Sequence, residues 1–548
     1  MEYAAFNKTG AQRLVEHLID HEVSTIFAVP GQQLDPIFSA LHKVREKIKI
    51  IHTRHEQGAA YMAYGYARST GKIGVCMVPP GPGLLNATAG LATGFAGNTP
   101  IFCIAGQIPS DMIGRGLGVL HEIPDQLAIL KGLTKWAARA DNNEAIDIHV
   151  TEAFTQLTSG RPRPVGIEIP CDVLDRNGEY KSPPLTVSPA RPACPEYSTL
   201  QQAVDLLLSA KQPMIYVGGG AVDAGKDLQA LAEWLNAPVV SHCSGKGILS
   251  DRHPLSVPLP VGHALWASVD VVLVVGSRFL PPKKDWGLDE HIKVIRIDID
   301  AEELYRGCTP DIGWATDAAL AIKALREELQ SRSVPRIHCD PQLLASKNAF
   351  SAACELLQPQ RDYLNAIRAA LPDDGIFVDE LTQIGYVSRV AYPVYKPRTY
   401  IPATYQGALG FGFATGIGAK VGNPDTPVVS ISGDGGILYT ISELATAVQH
   451  RIPLVSVIFN DNAFGNIKRV QQAEGFTLGT DLHNPNFVAL AQAFGACGIA
   501  VDSPDQLHHA LIDAFKRHQP TVIEVNVGEM PSPWHLLRLS RVSRARPV

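Results

Sequence analysis

The sequence predicts an α/β protein made of three doubly wound parallel-sheet domains. Short apolar runs recur along the whole chain, and amphipathic helical segments separate them. Strands that alternate with helices in this way form parallel sheets covered by helices on both faces. A chain of 548 residues also exceeds what one hydrophobic core supports, and three domains of roughly 180 residues are the natural division.

Composition limits the classes of function. The net charge of −6 gives no reason to expect nucleic acid or membrane partners. No run of about 18 uninterrupted apolar residues is present, and the first residues form no apolar signal region, so we expect a cytoplasmic protein. The nine cysteines are scattered without a C-x-x-C pair, which argues against a disulfide framework and a zinc site.

The first domain is predicted over residues 1–180. A capping box at Thr9 and Gln12 starts its first helix. Further helices are predicted over 56–68 and 84–96, and strands over 24–29, 49–52, 73–78 and 100–105. The apolar run 165–170 is expected to close the sheet.

The middle domain is predicted over residues 190–335, between linkers at 173–197 and 331–360 that are rich in Pro and Ser. Its strands are predicted near 214–217, 238–240, 271–276 and 294–298. The glycines 218–220 suggest a nicotinamide dinucleotide site, but the third glycine of that motif is missing. We therefore favour an ordinary Rossmann-like turn.

The third domain is predicted over residues 360–530 and carries the most informative motif. Its strands are predicted over 376–378, 399–403, 428–432, 454–459 and 521–525. Strand 428–432 ends in Gly433-Asp434-Gly435-Gly436, and strand 454–459 ends in Asn460-Asp461-Asn462. Consecutive parallel strands end at the same edge of a sheet, so Asp434 and Asp461 should meet there.

These residue types suit a bound diphosphate. Glycines 433, 435 and 436 let backbone N–H groups approach a phosphate, and we expect the N-terminus of a following helix, opening near Thr440, to add a favourable dipole. Two carboxylates, an amide and a backbone carbonyl suit Mg²⁺ bridging to that diphosphate. The alternative is an ordinary strand–turn–helix connection that contains Gly and Asp.

The pair GDGG and NDN resembles the thiamine diphosphate motif, with Asp461 in place of its second Asn. The resemblance assigns metal ligation to the side chains of Asp434 and Asp461 and to the backbone carbonyl of Ala463. It assigns cofactor binding to Gly407, Leu409, Gly433, Asp434, Gly435, Gly436, Asn460, Phe464 and Gly465. Leu409 falls where the family places a bulky apolar residue that holds the cofactor bent.

The resemblance extends over essentially the whole chain, to the thiamine diphosphate-dependent 2-oxo acid decarboxylases and carboligases. It is closest in pattern to the branch of acetolactate synthase and benzaldehyde lyase. The motif RHEQGAA at 54–60 and the segments SGRPRPVGIEIP at 159–170 and YQGALGFGFATGIGAK at 405–420 carry it, together with GDGG and NDN. The implied fold is two thiamine diphosphate-binding domains that flank a Rossmann-like middle domain.

Three residues are implied to be catalytic. Glu56 in RHEQGAA matches the acid that drives the cofactor's aminopyrimidine into its imino tautomer, which activates the thiazolium C2. Without the other motifs, a Glu at a helix start would be interpreted as a residue whose negative charge stabilises the helix dipole. Gln33 and His121 fall where this branch keeps polar active-site residues, and His121 is suited to shuttling protons, although a lone loop histidine is often merely solvated.

The resemblance also implies partners and a reaction. In the family the glutamate and the diphosphate site come from different subunits, which implies a homodimer that commonly pairs into a homotetramer. The expected function is a C–C bond lyase or carboligase dependent on thiamine diphosphate and Mg²⁺, acting on 2-oxo acids, 2-hydroxyketones or 1,2-diketones. A catalytically silent regulatory relative and a 1,2-diketone hydrolase are the alternatives.

Two departures from the acetolactate synthases narrow the role. Val470 stands where those enzymes have an aromatic residue that selects the acceptor keto acid. Their flavin-binding segment, rich in Gly, Met and His, is replaced here by residues 241–246, SHCSGK. We therefore expect neither bound FAD nor a role in branched-chain amino acid synthesis.

Overall fold

Three six-stranded parallel sheets organise the computed structural model, which describes residues 6–180, 193–336 and 340–543. Helices connect successive strands, and a two-stranded ribbon completes the sheet structure of these residues. The predicted fold class is confirmed.

The N-terminal part of the chain forms the first sheet. Its elements are β1 (Phe6–Thr9), α1 (Gly10–Asp20), β2 (Thr25–Ala28), α2 (Asp35–His42), β3 (Lys49–His52), α3 (Glu56–Thr70), β4 (Gly74–Val78), α4 (Pro82–Ala96), β5 (Ile101–Gln107), α5 (Gln126–Leu133), β6 (Trp136–Arg139), α6 (Asn143–Thr158), β7 (Val165–Pro170), α7 (Cys171–Asp175) and β8 (Asn177–Tyr180). The strand order is β3-β2-β4-β5-β7-β6. The predicted capping box is present, since Thr9 and Gln12 exchange side-chain to backbone hydrogen bonds.

The expectation that strand 165–170 closes this sheet is wrong. β7 pairs with β5 on one side and with β6 on the other, so β6 is the edge strand. The sequence of β6, Trp-Ala-Ala-Arg, is short and largely half-buried. It lacks the apolar run by which a buried strand is recognised in a sequence.

The middle part of the chain forms the second sheet. Its elements are α8 (Tyr197–Ser209), β9 (Pro213–Val217), α9 (Gly225–Leu235), β10 (Val239–Ser241), β11 (Ser256–Val257), α10 (Leu259–Leu265), β12 (Val271–Val275), β13 (Lys293–Asp298), α11 (Ala301–Tyr305), β14 (Ile312–Ala315) and α12 (Ala318–Arg332). The strand order is β11-β10-β9-β12-β13-β14. The four central strands match the prediction, and the two short edge strands were not anticipated.

The remaining residues contain the third sheet. Its elements are α13 (Pro341–Glu355), α14 (Gln360–Ala370), β15 (Ile376–Val378), α15 (Gln383–Ala391), β16 (Tyr400–Ile401), α16 (Phe411–Gly422), β17 (Val428–Gly433), α17 (Asp434–Ile437), α18 (Leu444–Gln449), β18 (Val455–Asn460), α19 (Gly465–Ala473), α20 (Phe487–Ala493), β19 (Cys497–Val501), α21 (Pro504–Arg517), β20 (Thr521–Asn526) and α22 (Trp534–Leu537). The order is β16-β15-β17-β18-β20-β19. The edge strand β19, which is largely half-buried, was not predicted.

Both predicted linkers contain regular structure. In the segment 331–360, α13 replaces the expected linker and begins at Asp340, whose carboxylate accepts from the N–H groups of Gln342 and Leu343. Only Cys354 of this helix is buried, which explains why its composition resembles a linker. In the segment 173–197, β8 pairs antiparallel with β1, and residues 181–192 lie outside the described part.

The chain divides into two compact units. One comprises the described part of Met1–Ala190 with Ala403–Val501 and Ile512–Asn526, and it contains the first sheet and strands β17–β20. The other comprises the remaining described residues, including the whole second sheet. None of the helices within the described ranges combines the length and the apolar character that a membrane span needs.

Candidate active site

The ends of β17 and β18 bring the two polar motifs of the third domain together. The two strands pair in parallel, with Gly433 opposite Phe459, so Asp434 and Asn460 follow at the same sheet edge. Asp434 is almost completely buried, and so is Asn460. The expected meeting of the GDGG and NDN strand ends is therefore observed.

Asn484 joins these strand ends. Its Nδ2 donates to Asp434 Oδ2 at 2.6 Å, to Asn460 Oδ1 at 3.1 Å and to Asn462 Oδ1 at 3.3 Å. Asn460 in turn donates to Glu524 Oε1 at 2.8 Å. We call Asp434, Asn460, Asn462 and Asn484 the Asp434 cluster.

Sequence reasoning did not find Asn484. It lies in the segment His483-Asn484-Pro485-Asn486, where Asn486 caps helix α20 with its side chain. Two asparagines beside a proline before an apolar helix indicate a cap, so nothing in the local pattern distinguished Asn484 from an ordinary loop residue.

After β18, the hydrogen bonds of the short pairing around Ala463 do not use its backbone carbonyl. Ala463 forms an isolated antiparallel bridge with Asp481. The hydrogen bonds of this bridge flank Ala463, since Leu482 N–H donates to Asn462 O and Phe464 N–H donates to Thr480 O. Asp461 is half-buried beside these residues.

The Asp434 cluster fits a hard divalent cation. Its carboxylate and amide oxygens are ligands of the kind that Mg²⁺ prefers. Asn484 Oδ1 is buried without a hydrogen-bond partner among the described residues, as an oxygen awaiting a ligand would be. Within those residues, no group of three or more His, Cys, Asp or Glu is placed to hold a metal ion.

One glycine of the GDGG motif has a packing role. A Cβ at Gly435 would lie 2.6 Å from the Phe464 ring and 2.9 Å from Leu482 Cδ1, so these side chains occupy its space.

The helix expected to follow the motif is interrupted: α17 is a single turn, and a 3₁₀ turn at Ile441–Glu443 precedes α18.

The loop that carries Gly407 and Leu409 packs against the GDGG segment. Gly407 and Gly410 have φ angles of 60° and 78°, in the left-handed region that favours glycine. The Thr440 hydroxyl donates to Gly410 O at 3.0 Å. A Cβ at Gly410 would lie 2.5 Å from Tyr439 Cβ. The structure thus brings half-buried Leu409 next to the segment that follows Asp434.

Glu56 is the first residue of α3 and lies beside the loop Gly81–Gly83. Asn86 Nδ2 donates to Glu56 Oε2 at 3.0 Å. A Cβ at Gly83 would lie 3.3 Å from Glu56 Oε1, which places the start of α4 against this carboxylate. Among the described residues, no hydrogen bond joins Glu56 to the Asp434 cluster.

Gln33 and His121 form a direct pair. His121 Nδ1 lies 3.1 Å from Gln33 Oε1, and Gln33 Nε2 donates to Leu120 O at 3.4 Å. That second bond makes Oε1 the acceptor, so the imidazole donates from Nδ1 and its Nε2 is left to accept a proton. His121 adopts a φ of 72°, an uncommon backbone conformation for a non-glycine residue.

Glu122 shapes the loop that carries His121. Its carboxylate accepts from the N–H groups of Gly116, Gly118 and Val119 at 2.9, 2.6 and 3.2 Å. Desolvation opposes ionisation of Glu122, but these N–H groups prevail and lower its pKa. The loop therefore has a defined conformation although its glycines are exposed.

Gln126 is a second residue that sequence reasoning did not single out. It accepts from the Gly81 N–H at 2.7 Å and donates to Gly106 O and Glu168 Oε2, both at 2.9 Å. Gln126 is almost completely buried, so these bonds tie the loop near Glu56 to the ends of β5 and β7.

The glycines of the middle domain have a structural explanation. A Cβ at Gly220 would lie 2.8 Å from Gly276 Cα, and a Cβ at Gly218 would lie 2.5 Å from Gly276 O. The loops after β9 and β12 therefore pack on each other through these residues. This contact accounts for the glycines without a dinucleotide.

Comparison with known proteins gives the same assignment along the chain. Residues 8–129 match the model of the N-terminal TPP binding domain of thiamine pyrophosphate enzymes. Residues 200–325 match their central domain, and residues 382–525 match their C-terminal TPP binding domain.

Full-length relatives extend the match. A probable 2-ketoarginine decarboxylase of Pseudomonas aeruginosa is 34% identical over 535 residues, which cover 94% of each chain. The acetolactate synthase isozyme 1 large subunit of Escherichia coli is 30% identical and covers 95% of this chain and 94% of its own. A probable acetolactate synthase large subunit of Methanocaldococcus jannaschii is 30% identical over 94% of this chain and 91% of its own.

The geometry at the strand ends and the match along the whole chain agree on one conclusion. With its N-terminal, central and C-terminal domains all represented, the chain belongs to the thiamine pyrophosphate enzyme family.

Proposed function

We propose that this protein is a thiamine diphosphate- and Mg²⁺-dependent C–C bond lyase or carboligase that acts on 2-oxo acids, 2-hydroxyketones or 1,2-diketones. The observation that carries the proposal is the Asp434 cluster, in which Asn484 ties Asp434 to Asn460 at the ends of two adjacent strands. The relatives named for 2-ketoarginine decarboxylation and acetolactate synthesis support this reaction class.

Within this proposal the third domain holds the cofactor. Asp434, Asp461 and the Ala463 carbonyl would bind Mg²⁺, whereas Gly433, Gly435, Gly436, Asn460, Phe464 and Gly465 would surround the diphosphate. Gly407 and Leu409 would contact the rest of the cofactor. When bound, thiamine diphosphate supplies the nucleophilic carbon and the electron sink for breaking or forming a bond next to a carbonyl.

Glu56 and His121 would move protons. Asn86 occupies Glu56 Oε2 at 3.0 Å, which leaves Oε1 to hold a proton toward the cofactor's pyrimidine. His121 donates to Gln33 through Nδ1, so its Nε2 is the atom that accepts a proton from a substrate hydroxyl.

A cavity beside Gln33 fits a small-molecule substrate. Its volume is about 610 Å³, and its lining includes Gln33, Met112 and Leu120. The charged side chains among its described lining residues are Asp35 and Asp175, both carboxylates. We propose that a 2-oxo acid with a cationic side chain is preferred over a neutral one of the same length, as the name of the Pseudomonas relative also suggests.

We propose a cytoplasmic homodimer, paired into a homotetramer, in which each site combines residues of two subunits. We propose that no FAD is bound, because the flavin segment of the acetolactate synthases is replaced by residues 241–246. A silent regulatory relative and a 1,2-diketone hydrolase are the competing functions.

One experiment separates these functions. The purified protein with thiamine diphosphate and Mg²⁺ is incubated with pyruvate, 5-guanidino-2-oxopentanoate, its uncharged chain-length analogue, benzoin and cyclohexane-1,2-dione, and products are identified by mass. Decarboxylation or ligation products support the proposal, and ring-opened acid from the dione alone would favour the hydrolase. Asp35→Asn should reduce the preference for the cationic substrate.

Glu56→Gln distinguishes an enzyme from a silent protein. The variant should retain the cofactor but exchange the C2 proton about 10²–10⁴-fold more slowly, since it lacks the acid. Glu46→Gln, which changes a glutamate of the same domain that is 92% exposed, is the control and should behave as wild type. Absence of turnover in the wild type with every substrate, together with equal exchange in both variants, would favour the silent relative.

A further inference from the structure

Glu443 is a buried carboxylate with several hydrogen bonds to the residues just before Glu56, and none of the functions above uses it. Its Oε1 accepts from the N–H groups of Arg54 and His55 at 3.1 and 2.9 Å. Its Oε2 accepts from the Arg54 N–H at 3.1 Å and from the Thr446 hydroxyl at 2.6 Å. The side chain is completely buried.

The motif RHEQGAA has a glycine because Glu443 occupies the space beside it. A Cβ at Gly58 would lie 2.4 Å from Glu443 Oε1 and 2.6 Å from its Cδ. Real Cβ atoms do not approach a neighbour so closely, so any other residue at position 58 would displace the carboxylate. Gly58 and Glu443 thus form one close contact, although 385 positions separate them in the sequence.

The bonds of Glu443 act on the chain immediately before Glu56. Arg54 and His55 are the last two residues before α3, and His55 is its N-cap. The backbone has two soft dihedral angles per residue, so fixing two consecutive N–H groups fixes the direction in which the chain enters the helix. That direction sets the position from which the Glu56 side chain extends.

The surroundings of Glu443 shift its pKa. Burial raises the pKa of this carboxyl group, although Thr446 and the two N–H groups oppose the shift. The group therefore favours its neutral form more in the folded chain than in the unfolded chain, and its ionisation costs folding free energy. A buried carboxyl group with a shifted pKa and several hydrogen-bond partners is a candidate for a functional role.

We propose that Glu443 is a positioning residue for Glu56: its buried carboxylate holds the Arg54 and His55 N–H groups, and through them it sets the carboxyl group of Glu56 at the working distance from the cofactor. The inference rests on the proposed function of Glu56. It adds a contact between the third domain and the activating segment of the first domain within the same compact unit.

Hydrogen exchange in the cofactor-free protein tests the contact itself. In Glu443→Gln, one amide group has to replace an anion that accepts from both N–H groups. The Arg54 and His55 amides should exchange about tenfold faster or more, because bonds to a charged acceptor are lost. Gly58→Ala should have the same effect by displacing the carboxylate. Glu474→Gln, at an exposed glutamate after α19, is the matched control and should leave exchange at these amides unchanged.

Proton exchange at the cofactor C2 tests whether this contact positions Glu56. Glu443→Gln and Gly58→Ala should each slow it about 10–10²-fold at saturating thiamine diphosphate, as a misplaced catalytic group does. The double variant should be no slower than the slower single variant, because both changes remove the same contact. The dissociation constant of the cofactor should stay within about twofold, since the diphosphate contacts are elsewhere.

The outcomes separate this inference from the function on which it rests. If Glu56→Gln slows C2 exchange but Glu443→Gln and Gly58→Ala do not, Glu56 acts without positioning by Glu443, and the inference is wrong. Unchanged amide exchange at Arg54 and His55 in both variants would overturn it as well. If Glu56→Gln itself has no effect, the proposed function of Glu56 fails first.

Discussion

The side-chain amide of Asn484 donates to Asp434 Oδ2 across 2.6 Å and so connects residues 50 positions apart. The same amide also reaches Asn460, which lies at the end of the neighbouring strand. Groups that orient a metal-binding carboxylate affect affinity nearly as much as the ligand itself. Asn484 therefore holds Asp434, the proposed Mg²⁺ ligand, and the end of the neighbouring strand in one arrangement.

Asn484→Ala should weaken cofactor binding. Without its donor, Asp434 loses the orientation that Mg²⁺ requires, and the affinity for thiamine diphosphate with Mg²⁺ should fall about 10–100-fold. Titration calorimetry measures the change. Gln472→Ala, at an exposed position of α19, serves as the control. Wild-type affinity in Asn484→Ala would exclude an orienting role.

Asp461→Asn should be tolerated. An amide oxygen is also a Mg²⁺ ligand, and the motif that this segment resembles has Asn at the position. Asp434→Ala, in contrast, should abolish retention of the cofactor through gel filtration because the buried carboxylate is lost. Equal damage from the two substitutions would show that the assignment of Asp461 is misplaced.

His121→Phe should lower turnover without changing cofactor affinity. Loss of a proton-transferring group costs about 10²–10⁴-fold in rate. Gln33→Leu removes the acceptor that faces His121 Nδ1 at 3.1 Å and should cause a smaller loss, since the imidazole remains. His42→Gln, an exposed histidine of α2, is the control for steady-state kinetics. A fully active His121→Phe enzyme would mean that the histidine is only a loop residue.

Asp379 should make stability depend on pH. The side chain is completely buried 3.6 Å from Arg389 Nε, and burial raises its pKa to about 7 although Arg389 opposes the shift. In the unfolded chain this carboxyl group has a pKa of about 3.9. Between these two pKa values, the native state holds a proton that the unfolded state has lost. The free energy of unfolding should therefore fall as the pH rises from about 4 to 7.

Asp379→Asn should flatten this dependence, because the amide does not titrate. Urea unfolding of the protein at several pH values between those limits measures it. Asp374→Asn, at a position whose side chain is 57% exposed, should keep the wild-type slope. A slope unchanged by Asp379→Asn would show that other groups control the proton balance.

Local sequence patterns were sufficient for the central strands and for the edge at which the motifs meet. Parallel strands such as β12 and β17 are buried on both faces, so each appears as a short run of apolar and small residues that ends at a glycine. The edge strands β3 and β16 were predicted, whereas β6, β14 and β19 are only partly buried and show no such run. These three strands were therefore missed, and the first sheet extends one strand beyond β7.

The sequence by itself determined the fold class and the family resemblance, because the strand–helix alternation and the motifs GDGG, NDN and RHEQGAA are contiguous patterns. The resemblance in turn supplied the candidate residues Asp434, Glu56 and His121. Only the tertiary structure decided which distant residues support them. Asn484 reaches Asp434, and Glu443 reaches the backbone before Glu56, across hundreds of positions in the second case. A contact between remote segments leaves no periodicity or spacing in either one, since it arises from the packing of complete elements.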